Sequence, residues 1–533
     1  MAATIPNFGD LTRDAFQATE FERRMTLVQA LRMYPKAVFF SMLLSLSLIM
    51  EGYDMALLDG FFGYPAFQKK FGQPAADGTY QIRAPWQSVL QNGGQVGEII
   101  GLYIAGSLAE RFGYRKTMLA AQALMVVVVF IMFFAQNIVM LMVGEVLCGL
   151  PWGAFQTLTT TYAADIAPMA LRPYLTTYVN MCWVIGEVIS AGVLRGLLQR
   201  NDEWGWRIPY AVQWFWPIPI TTALLFAPES PWWLVRHGRL DDARRVLGGL
   251  VSARHHPDYD VDRNVAMMVH TNALEKAASR GTTYRDCFRG TDRRRTELAC
   301  GVWIIQVTCG TWFGANVIYF LEQAGFDAAK SFDFGLGQTA VGLLGTLCAW
   351  WAMQHVGRRA LYLWGLGVMF TILLLIGFLG IPEPTQAIAY ATGALLMAFT
   401  FTYDVTVGPV CYCLVAEMPS TRLRIKTVAL ARNCYNMASM AANFLDNLIL
   451  NPTAWNLRGK GGFVWVGFNL ASIVWAYYRL PEPRDLSPGE MDVLFEMRVS
   501  ARNFGKVKAD QFRSESLERT VEVDENVRRT GQD

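Results

Sequence analysis

The sequence predicts an all-α membrane protein with twelve transmembrane helices in two six-helix halves. The chain has 533 residues and is 53% hydrophobic but only 17% charged, whereas soluble domains carry about 25% charge. The apolar residues form long blocks, such as 119–134 and 361–380, of the roughly 20-residue length that a bilayer core of about 30 Å requires. A polar segment with no apolar block separates the first six blocks from the last six.

The apolar blocks set the expected helix and domain boundaries. The first half is predicted to contain membrane helices at residues 36–60, 88–109, 116–136, 138–163, 174–199 and 206–228. The second half is predicted to contain them at 297–323, 331–355, 359–381, 386–414, 424–450 and 462–480. The corresponding division is a cytoplasmic tail at 1–35, a first half at 36–230, a cytoplasmic helical bridge at 231–296, a second half at 297–480 and a cytoplasmic tail at 481–533.

Basic residues predict the orientation. The bridge is rich in arginine, and lysine and arginine concentrate on the cytoplasmic side of membrane proteins. Short loops containing Arg111, Arg115 and Arg358 fall on the same side if the helices alternate, so both termini are expected to be cytoplasmic. The loop after the first helix is an exception, because Lys69 and Lys70 would then lie outside.

Charge, histidine and cysteine patterns exclude several classes of function. The net charge of +3 is too small to indicate a nucleic-acid partner. Nine cysteines show neither the spacing of a disulfide framework nor that of a zinc site. Four of the five histidines lie in the bridge, without a catalytic cluster. We therefore expect no cofactor, no metal and no enzymatic activity.

A faint internal repeat relates the two halves. Residues 106–116 follow the second predicted helix of the first half, and the similar segment 352–359 follows the second predicted helix of the second half. Repeated halves with a binding site at their interface are common among transporters. If the chain were a channel or a receptor, no such repeat would be expected.

Motifs in a fixed order resemble the sugar porter family of the major facilitator superfamily. The similar segments are Gly52-Tyr53-Asp54, residues 110–116, residues 162–168 with Arg172, residues 228–234, Glu417 with Arg424, and a degenerate ending at 481–496. Each motif is weak by itself, but together they span nearly the whole membrane region. The resemblance implies the major facilitator fold and alternating access.

Within that family the chain is similar to fungal maltose permeases. The shared segments are 51–54, 65–70, 84–88, 97–102, 150–153 and 419–427. The resemblance implies proton-driven uptake of α-glucosides such as maltose across the plasma membrane. The expected partners are a small sugar, protons and the lipid bilayer, and we expect the chain to act as a monomer.

Acidic residues in predicted helices are candidate proton carriers, because a charge at mid-membrane is costly and therefore usually functional. Glu51 and Asp54 lie three residues apart, on one face of the first helix, and Asp54 matches the proton-linked aspartate of the family. Asp54 could instead be a structural acid paired with a buried base. The family's facing arginine is replaced here by Glu145.

Arg432 is the substitute counter-ion for these carboxylates, unless it extends to the cytoplasmic face. Glu98 in the second helix is a further candidate for the proton path, although a packing role is equally open.

Sugar-binding positions of the family are altered in this chain. The resemblance places Asn180 and Glu187 where two glutamines are usual, retains Asn316, and puts Tyr412 at a sugar-stacking tryptophan. Tyr435 and Asn436 stand where the family usually has a glutamine followed by a tryptophan. Gln306 is a candidate to replace the glutamine pair that the family has in its seventh helix. These residues are predicted to bind substrate, with helix–helix hydrogen bonding as the alternative.

The loop motifs predict a cytoplasmic ion-pair network that holds the halves together in one state. Its predicted members are Glu110, Arg111, Arg115, Asp165, Arg172, Glu229, Glu417 and Arg424.

Two other functions remain open, and a third is disfavoured. The altered sugar positions are compatible with a transporter of a different metabolite, and a carrier that does not use protons would be a facilitative hexose carrier. A transporter-like sugar sensor is disfavoured, because such sensors have very long tails and this chain has about 50 residues after its last predicted helix.

Overall fold

The computed structural model of the chain is almost entirely helical. It describes residues 8–74, 80–168, 171–252, 259–279, 283–323, 326–383, 385–420, 423–484, 491 and 494–506. The one sheet in these residues is a two-stranded antiparallel ribbon, in which β1 (Gln73–Pro74) pairs with β2 (Tyr80–Gln81).

The first half begins after two short helices, α1 (Phe8–Arg24) and α2 (Leu27–Met33). Its membrane helices are α3 (Pro35–Phe61), α5 (Ala84–Phe112), α6 (Tyr114–Phe133), α7 (Ile138–Ile166), α8 (Arg172–Leu197) and the pair α9 (Trp204–Val212) and α10 (Pro217–Phe226). A short helix, α4 (Pro65–Phe71), lies between α3 and β1.

The bridge contains α11 (Pro231–Arg236), α12 (Leu240–Leu250) and α13 (Val261–Ser279). The second half then consists of α14 (Gly290–Thr308), α15 (Thr311–Ala315), α16 (Val317–Gln323), α17 (Ala328–His355), α18 (Arg358–Leu379), α19 (Gln386–Val405), α20 (Val407–Glu417), α21 (Arg424–Leu450) and α22 (Gly462–Arg479).

Six helical spans in the described residues are long and apolar enough to cross a membrane by length and composition alone. They are Pro35–Phe61, Tyr114–Phe133, Ile138–Ile166, Gly290–Ala315, Arg358–Leu379 and Gln386–Val415. The other membrane helices are broken or carry more polar residues, as α5 does with Glu98. Such residues are tolerated in a membrane helix when they face the interior of the bundle.

Within the described residues, three of the twelve predicted membrane helices are interrupted. Gly310 has a φ of 100° between α14 and α15, which is the left-handed region that suits glycine. Thr406, with φ −121° and ψ −88°, separates α19 from α20. Pro217 begins α10 after a 3-10 turn. Interrupted helices in transporters expose backbone groups to a cavity rather than to lipid.

The bundle has two ends, which we name by the segments that lie there. The bridge end carries α11–α13 and the tails, because Lys36 Nζ donates to the Gly249 carbonyl at 2.9 Å and Arg294 donates to the Val499 carbonyl at 2.8 Å. The distal end is the opposite one, where α3 ends at Phe61 and α5 begins at Ala84.

Parts of both tails are packed against the bridge end. Helix α1 packs on α13, with the Phe21 ring 6.3 Å from that of Tyr259. In the second tail, Met491, Leu494 and Phe495 are buried. The short helix expected at 481–495 falls partly on residues 485–490 and 492–493, which lie outside the described part of the chain.

Glycines allow α5 and α7 to pack with their backbones in close contact. A Cβ on Gly153 would lie 2.5 Å from both the Glu98 carbonyl oxygen and the Leu102 nitrogen, and one on Gly149 would lie 2.6 Å from the Glu98 nitrogen. Real Cβ atoms do not approach that closely, so these positions require glycine. Small residues at helix interfaces are the usual means of close approach in membranes.

We predict that Gly153→Val destabilises the first half. The added side chain must separate α5 from α7, and such overpacking costs about 1–3 kcal/mol. Thermal unfolding of the purified protein in detergent measures the effect. Gly106→Val on α5 is the matched control, because a Cβ there meets nothing within 4 Å; equal losses of stability in the two variants would contradict the prediction.

Candidate functional site

A cavity of about 280 Å³ lies between the two halves of the bundle. The first half contributes side chains from α3, α5, α7 and α8, and the second half contributes them from α14–α17 and α19–α21. Because the wall combines carboxylates, amides and aromatic rings, it suits a polar, uncharged ligand with some apolar surface.

A charged contact joins the two halves across this cavity. Arg432 of α21 donates to Glu98 of α5 at 3.0 Å and to the Gln156 carbonyl oxygen at 2.6 Å. The Gln156 amide nitrogen in turn donates to Glu51 at 2.5 Å. Glu51 and Glu98 are fully buried. One guanidinium from the second half therefore contacts one carboxylate of the first half directly and a second one through the Gln156 amide.

Aromatic rings hold the Arg432 guanidinium in place. Its central carbon lies 4.6 Å from the Tyr435 ring centroid and 5.1 Å from that of Trp303. Its side chain is 17% exposed and directed to the cavity wall, so it does not extend to the bridge end. The sequence suggested Glu51, Asp54 or Glu145 as its partner, whereas the carboxylate in direct contact is Glu98.

Asp54 and Glu145 lie apart from the cavity wall, inside the first half. Gln213 donates to Asp54, and the Tyr210 hydroxyl donates to Glu145 at 3.3 Å. Both carboxylates are buried and close enough to interact electrostatically. The predicted proton-coupling residues thus fall into two groups, one on the cavity wall and one inside the first half between α3, α7 and α9.

Two of the predicted substrate-binding residues present unpartnered polar atoms to the cavity. Both side-chain polar atoms of Asn436 lack a hydrogen-bond partner although the residue is 1% exposed. The carbonyl oxygen of Gln306 is also unpartnered, while its nitrogen donates to the Gly408 carbonyl at 3.2 Å. Buried polar groups without partners are costly, and a ligand rich in hydroxyls would satisfy them.

The other predicted substrate residues have varied positions. Glu187, Asn316, Tyr412 and Tyr435 line the cavity. Asn316 is partly engaged, because its nitrogen donates to Asp446 at 2.9 Å. The side chain of Asn180 lies outside the described part of the structure.

Several residues of the cavity wall were not predicted from the sequence. Gln156, Asp59, Trp183 and Gln338 line the cavity, but none belongs to a motif quoted above. A polar residue in the middle of an apolar helix was the available signal for Gln156. For Trp183 no signal existed, because an aromatic residue in a membrane helix faces lipid as readily as a cavity.

At the bridge end, the same contact occurs once in each half. Glu229 accepts hydrogen bonds from the backbone N–H groups of Tyr114 and Arg115 at 2.9 and 3.4 Å. Glu482 accepts them from Arg358 and Arg359 at 2.9 and 3.0 Å. Each carboxylate thus binds the N-terminus of the third membrane helix of its half, where free N–H groups attract an anion.

The arginines after these contacts are also equivalent. Arg115 donates to the Leu225 carbonyl at 2.6 Å, and Arg359 donates to the Tyr477 carbonyl at 2.8 Å. Burial raises the pKa of Glu229, and hydrogen bonds from Ser230, Tyr114 and Arg115 oppose that rise. The repeated geometry explains why the segments 106–116 and 352–359 are similar in sequence.

The remaining predicted network residues also lie near the bridge end. Asp165 accepts from the Ser230 hydroxyl at 2.5 Å, and Glu417 lies 3.6 Å from Arg358. Glu110 and Arg111 are exposed. Arg172 and Arg424 begin α8 and α21, but their side chains lie outside the described part of the structure.

Toward the distal end, amide side chains connect α5 and α21, and we name this row of contacts the distal seam. The Asn451 nitrogen donates to Gln87 at 3.0 Å, and Gln95 donates to Ser439 at 2.8 Å. The intermediate contacts are Asn447 to Gln91 at 2.6 Å, Asn447 to Ser88 at 3.2 Å and Asn443 to Asn92 at 3.4 Å. The seam joins the two halves of the bundle along these two helices.

The described residues contain no group of three or more histidine, cysteine, aspartate and glutamate side chains that could hold a metal ion. Twelve membrane helices in two repeated halves, with a polar cavity between them, define a membrane transporter.

The chain belongs to the family of sugar and other transporters, whose family model matches residues 40–495. It is 41% identical to a maltose permease of Saccharomyces cerevisiae over 506 residues, which are 94% of this chain and 82% of the permease. It is also 41% identical to an alpha-glucosides permease of the same yeast over 515 residues, or 95% of this chain and 85% of that one. These relatives are permeases rather than enzymes.

Solved structures show the same fold. The xylose transporter of E. coli in a partially occluded inward-open conformation superposes with a TM-score of 0.68 over 85% of this chain and 100% of that one, at 17% identity. A proton:xylose symporter bound to 6-bromo-6-deoxy-D-glucose superposes with a TM-score of 0.67 over 87% of this chain and 100% of that one, also at 17% identity. The twelve-helix fold predicted from the sequence is confirmed.

We predict that Glu229→Gln and Glu482→Gln each lower thermal stability. Glutamate has two acceptor oxygens, whereas glutamine has one oxygen and one NH₂ group. In each variant the NH₂ group would face a helix N–H group, from which it cannot accept a hydrogen bond. Losing such a cap costs about 0.5–2 kcal/mol. Unfolding temperatures in detergent measure the loss, with Glu383→Gln at an exposed position as the control. A loss in only one of the two variants would contradict the equivalence of the halves.

Proposed function

We propose that the chain imports α-glucosides together with protons across the plasma membrane, by alternating access of the central cavity to the two sides. The permeases that are about 41% identical over nearly the whole chain support the substrate class. The arginine-rich bridge supports a cytoplasmic bridge end, which makes the distal end extracellular. The chain acts as a monomer in the bilayer under this proposal.

The observation that carries the proton coupling is the contact between Arg432 of one half and Glu98 of the other. Glu51 and Glu98 with Arg432 have one excess negative charge when both carboxylates are ionised. A buried cluster with excess charge is costly, whereas one added proton makes it neutral. A cluster that is closed off from water is therefore favoured in its neutral form, with one added proton.

Protonation of the cluster changes the link between the halves. A proton on Glu98 removes the charge that holds Arg432, so the second half is less tightly bound to the first. A proton on Glu51 instead weakens the hydrogen bond from the Gln156 NH₂ group, so the Gln156 carbonyl oxygen is held less firmly against Arg432. Because these contacts cross from one half to the other, the proton load alters the balance between the two orientations of the transporter.

Sugar binding uses the atoms that are unpartnered in the structure. Sugar hydroxyls donate to Gln306 and both donate to and accept from Asn436. Tyr412 and Trp183 supply an aromatic surface for one apolar face of the sugar, because both line the cavity and their rings contact each other across the interface between the halves, with centroids 6.4 Å apart. A sugar in contact with both halves favours the closed cavity and thereby helps to displace water from the charged cluster.

A direct test is to express the chain in a transport-deficient yeast and to record external pH while sugars are added. Maltose or a related glucoside is expected to cause external alkalinisation together with uptake. Uptake without a pH signal would indicate facilitated diffusion, and no uptake of any sugar in a panel of glucosides and hexoses would favour a different metabolite.

We predict that Glu98→Gln abolishes the maltose-induced alkalinisation and reduces concentrative uptake to equilibration. Glutamine resembles the protonated carboxyl permanently, so the cluster no longer exchanges a proton. Counterflow of labelled maltose verifies that the variant still binds and moves sugar. Glu383→Gln is the matched control. Concentrative uptake that survives in Glu98→Gln, and also in a variant with both Glu51→Gln and Asp54→Asn, would refute the mechanism.

We predict that Asn436→Ala raises the KM for maltose by about tenfold, which corresponds to one or two lost hydrogen bonds. The ratio of protons to sugar should remain unchanged, because Asn436 makes none of the described contacts with the charged cluster. Initial rates of labelled maltose uptake give KM, with Asn201→Ala on the exposed surface as the control. An unchanged KM would remove Asn436 from the sugar site.

A further inference from the structure

A cavity carboxylate outside every predicted site is connected to the distal seam. Asp59 of α3 lines the cavity and accepts a hydrogen bond from the Gln91 amide nitrogen at 2.6 Å. The Gln91 carbonyl oxygen accepts a hydrogen bond from Asn447 of α21, also at 2.6 Å. The three side chains form a continuous relay from the cavity wall to the opposite half.

The relay has a direction that the chemistry of Asp59 sets. An ionised carboxylate only accepts hydrogen bonds, whereas a glutamine amide has donors on one side and an acceptor on the other. Gln91 must therefore turn its NH₂ group toward Asp59, which leaves its carbonyl oxygen toward α21. Asn447 meets that oxygen with its own NH₂ group, so both ends of the Gln91 amide face a complementary partner.

We propose that Asp59 is a positioning residue for the outer gate: it orients the Gln91 amide so that the distal seam closes through Asn447. The link of the relay that crosses between the halves is the contact between Gln91 and Asn447, and this contact must break when the distal end opens. A sugar hydroxyl or a proton that occupies the Asp59 carboxylate weakens its hold on Gln91, so the state of the cavity alters the strength of the gate.

This inference deepens the proposed function and rests on it for the assignment of the distal end to the cell exterior. The relay itself does not depend on the identity of the sugar. An assay of gate opening in the absence of sugar therefore tests the relay separately from transport.

The experiment measures how fast a membrane-impermeant maleimide labels Ala56→Cys in intact cells without sugar. Ala56 lines the cavity on the same helix as Asp59, so it is shielded while the distal seam is closed. The parent protein, with its nine native cysteines, gives the background. Tyr80→Cys, at an exposed position of the distal loop, verifies that this end faces the outside.

When Asp59→Asn is added to Ala56→Cys, the cysteine at position 56 is expected to be labelled about threefold to tenfold faster. The reason is that the Gln91 amide loses its fixed orientation and the seam loses about one hydrogen bond. Asn447→Asp is also expected to label faster, since two carboxylates then face opposite ends of one amide and the carbonyl oxygen of Gln91 meets an acceptor.

The combination of Asp59→Asn with Asn447→Asp provides the decisive result. In this double variant Gln91 can turn over, accept from the new asparagine and donate to the new aspartate, so labelling should return close to the parent rate. Asn443→Asp is the matched control: it weakens the seam through Asn92, but Asp59→Asn should not relieve it.

A cysteine pair supplies a second measurement that does not rely on maleimide access. Gln95→Cys with Ser439→Cys replaces a contact of 2.8 Å between the ends of the two side chains, and the extent of cross-linking by a short bifunctional thiol reagent, which makes up for the shorter cysteine side chain, reports the closed gate. It should fall in each single variant and recover in the double variant. Failure of the double variant to recover in both assays, or an unchanged labelling rate in Asp59→Asn, overturns the relay, whereas normal relay behaviour without maltose uptake would overturn the proposed function instead.

Discussion

The structure depends on one interaction: a buried cation of the second half contacts a buried carboxylate of the first half at the wall of the cavity. Arg432 is the cation in contact with the buried Glu98, and the Gln156 amide, which accepts from Arg432 and donates to Glu51, connects Arg432 to the second carboxylate. Removal of either partner would leave an uncompensated charge in a medium of low dielectric constant, which is strongly destabilising. Because the partners belong to different halves, the same electrostatic requirement that stabilises the bundle also controls how the halves move.

Close helix packing creates the conditions for this contact. The glycines of α5 and α7 bring the two backbones together where Glu98 and Gln156 project to the cavity. A larger residue at Gly153 would move Glu98 away from the wall. The position of a polar group in the site is therefore determined by apolar packing on the other face of its helix.

The two ends of the bundle use different chemistry. At the bridge end, Glu229 and Glu482 bind helix N-termini within their own halves and fix the shape of each half. At the distal end, neutral amides connect α5 with α21 across the interface. Amide contacts are weaker than charged ones and exchange readily with water, which suits a contact that forms and breaks in every transport cycle.

Motif order in the sequence was sufficient for the family and for the twelve helices, since long apolar blocks and basic loops reflect the bilayer directly. The residues of the site were harder to predict. Glu51, Glu98 and Arg432 were identified because any charge in an apolar helix is conspicuous, but their pairing was not, because it depends on how helices far apart in the chain face one another. Asp54 matched a family motif and nevertheless lies away from the cavity wall, inside the first half.

The sequence by itself determined that this chain is a membrane protein, that its two halves are repeated and which charged residues lie inside apolar helices. Only the tertiary structure decided that Arg432 meets Glu98 rather than Asp54, and that Gln156, Asp59 and Trp183 belong to the cavity wall. The physical reason is that hydropathy is a property of each segment alone, whereas hydrogen-bond partners are chosen by the rotation and spacing of packed helices.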